Sequence, residues 1–296
     1  MESETLAQVR RFNRLVTQRI GALEETYLSR GRPLGEARVL FEIGQAGGIR
    51  LNALRAKLGL DSGYLSRLLR SLESGAVVQL DPDPDDGRGR VARLTAKGED
   101  EFRAYDEASD RLAASLLEPL STGQRRRLIE AMAEVERLLR AGSVTVAVET
   151  ADSADASLCL RSYYDELAQR FPNGFDPGAI ANFDPAEMTP PKGWFVVARL
   201  EGAAVGCGAL KRLDAAVGEV KRVWTSPSVR GMGIASRIMD RLEALAAEIG
   251  FRSVRLDTNG TLTEARALYL NRGYREIERY NDNPYADHWF EKDLGR

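Results

Sequence analysis

The stretch Arg230-Gly231-Met232-Gly233-Ile234-Ala235 lies between a predicted strand, 217–225, and a predicted amphipathic helix that runs to Ile249. Glycine lets a backbone approach its ligand closely, and the first turn of a helix offers N–H groups without intrahelical partners. Those N–H groups and the helix dipole both favour anions. A Gly-x-Gly pair alone is a weak signal, but the strand before it and the helix after it strengthen the prediction of a pyrophosphate-binding turn.

The sequence from residue 143 onward alternates between strand and helix patterns. This predicts an α/β (α+β) domain with a mixed, largely antiparallel sheet. The other predicted strands lie near 144–148, 194–200, 203–211, 253–257, 274–278 and 287–293. The predicted helices lie near 157–169, 232–249 and 263–272. The proline-rich stretch 171–192 is expected to be an irregular loop.

The first 142 residues follow a different pattern, because their apolar residues recur mainly at helical spacing. Helices are predicted at 6–23, 34–46, 50–58, 62–74, 96–118 and 121–141, with strands at 77–80 and 90–94. Asp61 is an expected N-cap, and Ser121 with Gln124 is an expected capping box. Short helices followed by a hairpin are typical of a winged helix-turn-helix. We therefore expect a mainly α domain over 1–142 and a second domain over 143–296.

Composition sets the broad class of the protein. The 296 residues are 43% hydrophobic and 29% charged, which suits two globular domains. No apolar run reaches the roughly 20 residues that cross a bilayer, and the acidic start lacks a signal-peptide pattern. Cys159 and Cys207 form neither a disulfide framework nor a zinc-binding spacing. We therefore expect a cytoplasmic protein with two buried thiols, no metal and no membrane partner.

The predicted helix 62–74 has one apolar face and one face suited to DNA. The second face carries Ser62, Tyr64, Ser66, Arg67 and Arg70, and Arg88 and Arg90 lie near the hairpin tip. Hydroxyls and arginines can contact phosphates and base edges in the major groove, and a hairpin arginine can enter the minor groove. Because the net charge is only −2, DNA binding must depend on such local placement. A solvated helix face, or packing in the case of Tyr64, remains the alternative.

The first domain resembles the MarR family of regulators over about residues 4–141. The matching runs are Leu65-Ser66-Arg67, Leu72-Glu73-Ser74-Gly75, Asp86-Gly87-Arg88 and Leu94-Thr95-Ala96-Lys97-Gly98. The resemblance implies binding of double-stranded DNA by a homodimer that forms through the first and last helices of 1–142. It also implies that Asp86 holds Arg88, which enters the minor groove. Asp81, Asp83 and Asp85 depart from this pattern and are expected to repel phosphate.

The second domain resembles the GNAT family of N-acetyltransferases over about residues 144–294. The run 230–235 matches the family's acyl-CoA motif, and Ala265-Arg266-Ala267-Leu268-Tyr269 followed by Arg272-Gly273-Tyr274 matches a second motif. Leu262 stands where many members have asparagine. The resemblance implies the GNAT acyl-CoA transferase fold, with acetyl-CoA as co-substrate. The cofactor-binding residues that it implies are Val223, Trp224, Thr225, Arg230, Gly231, Met232, Gly233, Ile234, Ala235 and Ser236.

Acetyl transfer to an amine requires a base for the amine and an acid for the departing thiolate. Glu219 lies on the strand before the turn, where family members commonly place a carboxylate base, and Tyr269 matches the tyrosine that protonates the thiolate. The resemblance also implies that a main-chain N–H near 223–225 polarises the thioester carbonyl. The alternatives are an ion pair between Glu219 and a nearby lysine, Lys221 or Lys211, and core packing for Tyr269.

Three further side chains leave alternatives open. His288, the one histidine, is a base, a pocket residue or a structural residue near the last strand. Lys221 and Arg222 either bind the carboxylate of an amino-acid acceptor or are exposed charges on a strand. The sequence does not decide between these roles.

Taken together, the patterns favour a DNA-binding regulator that is also an N-acetyltransferase for a primary amine of a small molecule. A second hypothesis is a transcription factor whose GNAT-like domain only senses acetyl-CoA or an amine without turnover. In a third, the winged helix serves only for dimerisation. The presence of both Glu219 and Tyr269 favours the enzyme.

Overall fold

The computed structural model describes residues 3–84, 89–171, 174–176 and 185–295. The chain divides into two compact units, Met1–Ile129 and Glu130–Arg296. The predicted fold class is confirmed, because a helical unit with a small hairpin sheet precedes a unit with a mixed seven-stranded sheet. The predicted hairpin of residues 77–94 is called the wing below. Three of its residues, Asp85, Asp86 and Arg88, lie outside the described residues.

The first unit is mainly helical and contains a three-stranded antiparallel sheet in the order β1-β3-β2. Its elements are α1 Ser3–Arg19, α2 Leu34–Gln45, β1 Ile49–Arg50, α3 Leu51–Leu58, α4 Ser62–Ser74, β2 Val78–Pro82, β3 Arg90–Leu94 and α5 Ala96–Leu117. The next helix, α6 Thr122–Ala141, begins in this unit and ends in the second. The strand β1 was not predicted, because two residues are too few to show a period.

Side chains cap two of these helices as predicted. The N–H of Tyr64 donates to Oδ1 of Asp61 at 2.9 Å before α4. Before α6, the N–H of Ser121 donates to Oε1 of Gln124 at 2.9 Å, and the N–H of Gln124 donates to Oγ of Ser121 at 3.4 Å. Such caps stabilise a helix start because they satisfy N–H groups that have no partner inside the helix.

The core of the first unit lies between α2, α4 and the hairpin. Among its fully buried side chains are Leu40, Ile43, Leu54 and Leu72. The four leucines on the predicted apolar face of α4, Leu65, Leu68, Leu69 and Leu72, are all buried. Their burial fixes the orientation of α4 and leaves its polar face exposed.

The second unit contains a seven-stranded sheet in the order β4-β5-β6-β7-β8-β10-β9. Its elements are β4 Thr145–Glu149, α7 Ala154–Arg170, β5 Gly193–Leu200, β6 Ala203–Arg212, β7 Val217–Thr225, α8 Ile234–Ile249, β8 Ser253–Thr258, α9 Thr263–Asn271, β9 Arg275–Ile277 and β10 His288–Asp293. Within the described sheet, β7 and β8 pair in parallel and the other neighbours are antiparallel. Short 3₁₀ turns lie at Pro185–Met188 and Pro227–Val229.

Strand β7 separates from its neighbours in its second half. It pairs with β8 from Val217–Ser253 only as far as Glu219–Arg255, although β7 continues to Thr225. On its other edge the register with β6 shifts, so that two residues, Arg222 and Val223, oppose one. Arg222 has a φ of 55°, which fits such a β-bulge. The strand therefore leaves a gap beside β8 and carries backbone groups outside the regular ladder.

Helix α8 packs closely on the sheet, and this packing positions the predicted turn. Its side chains Ile238, Met239 and Leu242 are fully buried. A Cβ on Gly208 of β6 would lie 2.7 Å from Ile238 and 2.8 Å from Leu242, so a larger residue there would displace the helix. The helix begins at Ile234, not near 232 as predicted, because Gly233 has a left-handed φ of 72°.

Candidate active site and candidate DNA-binding surface

A cavity of about 450 Å³ opens where β7 and β8 separate. This volume lies in the range of sites that hold small ligands. Glu219, Val223 and Tyr269 line it, together with residues of α7, β8 and the segment 281–285. The other predicted cofactor-binding residues are not part of its described lining. Trp224 and Thr225 end β7, and residues 230–236 form the following turn and the start of α8.

Glu219 is buried, with 4% of its surface exposed. Its Oε1 accepts hydrogen bonds from the hydroxyl of Tyr280 at 2.9 Å and from Nδ2 of Asn281 at 3.1 Å, and it lies 3.1 Å from Nζ of Lys221. The alternative of an ion pair with Lys221 is therefore realised. The other lysine, Lys211, instead pairs with Glu187 at 2.6 Å.

Asp257 provides a second buried carboxylate, which no sequence motif indicates. It accepts hydrogen bonds from Nζ of Lys221 at 3.1 Å to each oxygen, from Nδ2 of Asn281 at 2.8 Å and from Nδ2 of Asn283 at 3.0 Å. Lys221 and Asn281 thus bridge Asp257 and Glu219. The parallel pairing of β7 with β8 brings the carboxylates of Glu219 and Asp257 together, and no local motif predicts this pairing.

Tyr269 combines a packed ring with a hydroxyl that has no hydrogen-bond partner among the described residues. The centroid of its ring lies 5.8 Å from that of Tyr274 and 6.1 Å from that of Phe290. These contacts agree with the alternative that Tyr269 packs in the core. Burial, and then the negative charge of Asp257, raise the pKa of Tyr269 above its ordinary value. The hydroxyl therefore stays protonated at neutral pH.

Two oxygens in this site remain open to a ligand. The hydrogen bonds and ion pair of Glu219 all involve Oε1, and Oε2 has no partner in the described chain. The same holds for the hydroxyl of Tyr269. Among the described side chains, Nε of Arg266 is the one fully buried polar atom without a partner. Oε2 of Glu219 and the Tyr269 hydroxyl are consequently not sealed inside protein, and both residues line the cavity.

The geometry of the turn 230–236 suits a pyrophosphate. Gly231 and Gly233 have φ values of 79° and 72°, which favour glycine. No side chain caps the start of α8, so its first N–H groups are available to an anion. Arg137, which belongs to no motif in the sequence, lies beside the turn, since its Nη1 would be 2.9 Å from a Cβ on Gly231.

Glu166 of α7 connects two of the predicted cofactor-binding residues. It accepts hydrogen bonds from Nη2 of Arg230 at 2.5 and 2.6 Å and from Nε1 of Trp224 at 2.9 Å. Burial by itself raises the pKa of Glu166, but Arg230 and Trp224 outweigh this effect and lower the pKa overall. Glu166 is therefore charged at neutral pH and holds the arginine at the head of the turn.

The side chains whose roles were open have defined contacts. Nδ1 of His288 lies 2.6 Å from Oε1 of Glu276 on the neighbouring strand, and His288 is outside the described lining of the cavity. Nε of Arg222 donates to the hydroxyl of Tyr164 at 3.0 Å. Lys221 lies between two carboxylates. These contacts favour a structural role for His288 and give Lys221 carboxylate partners from the protein itself.

Cys159 and Cys207 are both buried free thiols, as expected. In the part of the chain that the structure describes, no group of three or more His, Cys, Asp or Glu side chains is placed to hold a metal ion. None of the described helices is both long and apolar enough to span a bilayer.

The predicted DNA-contacting side chains of α4 share its exposed face. These are Ser62, Tyr64, Ser66, Arg67 and Arg70. The guanidinium of Arg67 lies over the ring of Tyr64, 5.4 Å from its centroid. The Tyr64 hydroxyl is also close to α2, because a Cβ on Gly35 would lie 2.9 Å from it. Tyr64 therefore packs against the protein while 37% of its surface remains exposed.

The wing carries less free negative charge than the sequence suggested. Asp83 is buried and lies 2.6 Å from Nε of Arg50, and Asp81 lies 3.7 Å from Nε of Arg93. Arg90, at the start of β3, is exposed. The expectation that Asp81 and Asp83 repel phosphate as free charges is thus corrected, because each has an arginine partner.

Comparison with known proteins finds a match to a family model within each unit. Residues 160–274 match the model of the acetyltransferase (GNAT) family, and residues 30–89 match that of the MarR family. The IAA acetyltransferase of Azospirillum brasilense is 36% identical over 83 residues, 28% of this chain and 54% of that enzyme. The chain thus spans about half the length of this relative.

Two further similarities extend the comparison. An uncharacterised HTH-type transcriptional regulator of Bacillus subtilis (strain 168) is 28% identical over 134 residues, 45% of this chain and 78% of that protein. The crystal structure of an acetyltransferase of the GNAT family from Staphylococcus aureus MU50 is 18% identical, with a TM-score of 0.45, and the match covers 51% of this chain and 99% of that one.

Proposed function

We propose that this chain, in which a MarR-family segment precedes a GNAT-family segment, is a DNA-binding regulator and an acetyl-CoA-dependent N-acetyltransferase. Its acceptor is a primary amine of a small molecule. We assign regulation to residues 1–142 and catalysis to residues 143–296. The observation that carries the proposal is that Glu219 and Tyr269 line one cavity next to an uncapped helix start with two left-handed glycines.

The turn 230–236 and the end of β7 hold acetyl-CoA in this proposal. The N–H groups at the start of α8 bind the pyrophosphate, with Arg230 and Arg137 as nearby cations. Val223 to Thr225 contact the thioester arm, and a main-chain N–H released by the bulge stabilises negative charge on the carbonyl oxygen. The thioester is the activated acyl donor, and the chain supplies orientation, a base and an acid.

Glu219 and Tyr269 carry out the proton transfers of the reaction. Glu219 accepts a proton from the acceptor ammonium, directly or through water, so that the free amine attacks the carbonyl carbon. A new C–N bond forms as the C–S bond breaks. The Tyr269 hydroxyl, which its raised pKa keeps protonated at neutral pH, donates its proton to the departing thiolate. The nitrogen of the new amide loses its second proton, which restores the Tyr269 hydroxyl, and Glu219 releases its proton to water.

The winged helix binds double-stranded DNA through α4 and the wing. Ser62, Tyr64, Ser66, Arg67 and Arg70 contact the major groove, and Arg88 and Arg90 contact the minor groove. The protein acts as a homodimer through the helices of 1–142. Exposed large apolar side chains on α1 and α6, which a monomer would leave in water, support this assembly. Among them are Leu6, Val9, Leu15, Ile129, Met132 and Leu138.

The enzymatic part is tested by incubating the full-length protein with acetyl-CoA and a panel of primary amines. Thiol release and the mass of each amine product are measured. We expect equal amounts of free CoA and N-acetylated amine. If CoA binds and alters DNA binding, but no amine gains an acetyl group, the domain is a sensor and the enzymatic proposal is wrong.

A further inference from the structure

The cavity is lined by two kinds of groups with different chemistry. Glu219 and Asp257 supply buried carboxylates, and a set of rings supplies an apolar surface. The rings belong to Tyr163, Tyr164, Phe171, Phe175 and Tyr285, which we call the aromatic cluster. Acetyl transfer uses the carboxylate of Glu219 and the hydroxyl of Tyr269, and it gives the aromatic cluster no role.

Phe175 is the centre of the aromatic cluster. Its ring centroid lies 5.1 Å from that of Tyr285 and 5.7 Å from that of Phe171. It stacks on Tyr164 at 5.8 Å with an interplanar angle of 21°. These are the separations and orientations in which aromatic rings attract one another. The cluster is thus a continuous surface that another ring can join.

Hydrogen bonds connect the aromatic cluster to the carboxylates. The N–H of Tyr285 donates to Oδ1 of Asn283 at 3.1 Å, and Nδ2 of Asn283 donates to Oδ2 of Asp257 at 3.0 Å. The N–H of Asp176 donates to the hydroxyl of Tyr285 at 2.9 Å. The ring surface and the anionic groups therefore keep a fixed relation to each other.

We infer that the acceptor is an arylalkylamine, a primary amine joined by a short alkyl chain to an aromatic ring. This inference rests on the proposed function and narrows its substrate. The ammonium group binds the open Oε2 of Glu219, where it loses its proton. The ring packs on the aromatic cluster around Phe175.

Other amine classes fit these groups less well. Four carboxylates and three cations line the cavity, so its charge suits one ammonium group and not the several of a polyamine or an aminoglycoside. An amino acid also brings a carboxylate. Lys221, the cation nearest to Glu219, already contacts both Glu219 and Asp257. The free arylalkylamine is therefore preferred over the amino acid with the same ring.

The test compares acceptors that differ in one feature, with the full-length protein and the thiol-release assay. The panel is 2-phenylethylamine, tryptamine, n-hexylamine, phenylalanine and spermidine. The variant Phe175→Leu keeps apolar bulk but removes the ring. The matched control is Phe102→Leu, because the ring of Phe102 pairs with that of Phe41 and does not line the cavity. We expect the aromatic amines to have the highest kcat/KM.

Phe175→Leu should lower kcat/KM for the aromatic amines by roughly two- to tenfold, which corresponds to the interaction energy of one aromatic pair. The kcat/KM for n-hexylamine and the KM for acetyl-CoA should not change. If n-hexylamine or spermidine matches the aromatic amines, or if Phe175→Leu affects every amine equally, the inference is wrong and the acetyltransferase proposal stands.

If no amine reacts, the proposed function fails. Binding of tryptamine, measured by calorimetry, then decides whether the cavity recognises this class, and its absence overturns the inference.

Discussion

Burial holds the Tyr269 hydroxyl in its protonated form, which is the form that the proposed reaction requires. Packing removes the ring from water and raises the pKa of the hydroxyl, and the charge of Asp257 raises it further. An acid with a raised pKa keeps its proton to higher pH. Because the active form is the protonated one, any loss of activity from its titration moves upward from the ordinary tyrosine value of about 10.

This shift predicts the alkaline side of the pH profile. Between pH 7 and about 10, kcat should show no decrease that depends on Tyr269. The measurement is kcat against pH for wild type and Tyr269→Phe with saturating amine. An alkaline decrease with a midpoint below about 10, present in wild type and lost in the variant, would contradict the proposed role of Tyr269.

The proposed role of Glu219 as the base leads to a second prediction. Glu219→Gln keeps the shape of the side chain but cannot accept a proton, so kcat should fall by about 100-fold or more while CoA affinity is retained. The matched control is Glu276→Gln, because Glu276 pairs with His288 outside the cavity. A similar loss in both variants, or no loss in Glu219→Gln, would exclude Glu219 as the base.

Local sequence indicated only some of the residues in the site. Glu219 and Tyr269 were found because each stands at a fixed place relative to a motif. Asp257, Asn281 and Glu166 were missed, because they come from elements distant in the chain and carry no local signal. Their roles depend on pairings between strands and on contacts of α7 with the turn, which spacing alone does not show.

At the scale of single elements, the turn before α8 depends on two left-handed glycines. Gly231→Ala places a Cβ where φ is 79° and where the Arg137 guanidinium already lies. The strain is about 1–2 kcal/mol, and relieving it moves the N–H groups away from the pyrophosphate. We expect the Kd for CoA, measured by calorimetry, to rise by about tenfold.

Gly202→Ala is the matched control for this substitution. Gly202 has a φ of 86° in the turn between β5 and β6, with open space around its Cβ position. It should cost a similar amount of stability, seen as a lower Tm, without changing the Kd for CoA. If both variants weaken CoA binding equally, the turn has no special role.

In the proposed function, α4 is the element that contacts the major groove of DNA. Arg67→Ala should weaken binding to duplex DNA and reduce the slope of log K against log salt by about one, as expected for one lost phosphate contact. Fluorescence anisotropy at several salt concentrations measures this slope. Arg103→Ala, on the exposed surface of α5, should leave the slope unchanged. Equal effects of the two variants would indicate only a general loss of charge.

Hydrophobic periodicity predicted most helices and strands of both units, because burial of one face is what the pattern records. It missed β1, which has two residues, and it placed the start of α8 too early. Both differences have local causes that periodicity does not contain. One is a short pairing with β3, and the other is the left-handed backbone at Gly233.

At the scale of the whole molecule, the order of two unlike folds was predictable because each half has its own pattern and its own motifs. The paired wing aspartates were not predictable, since their arginine partners lie on other elements. The sequence also left open whether the second unit catalyses or only senses. The cavity bears on this question, because Glu219 and Tyr269, the base and the acid of the proposed reaction, both line it and a sensor needs neither.

A comparison of thiol-release rates tests whether the protein transfers acetyl groups with Tyr269 as the acid. Wild type, Tyr269→Phe and Tyr274→Phe are assayed with acetyl-CoA and the best amine. Tyr274 is a matched buried tyrosine whose hydroxyl donates to Glu243 and does not line the cavity. We predict that kcat falls by about 100-fold or more in Tyr269→Phe and stays near wild type in Tyr274→Phe. No turnover by wild type, or equal rates for wild type and Tyr269→Phe, would contradict the account.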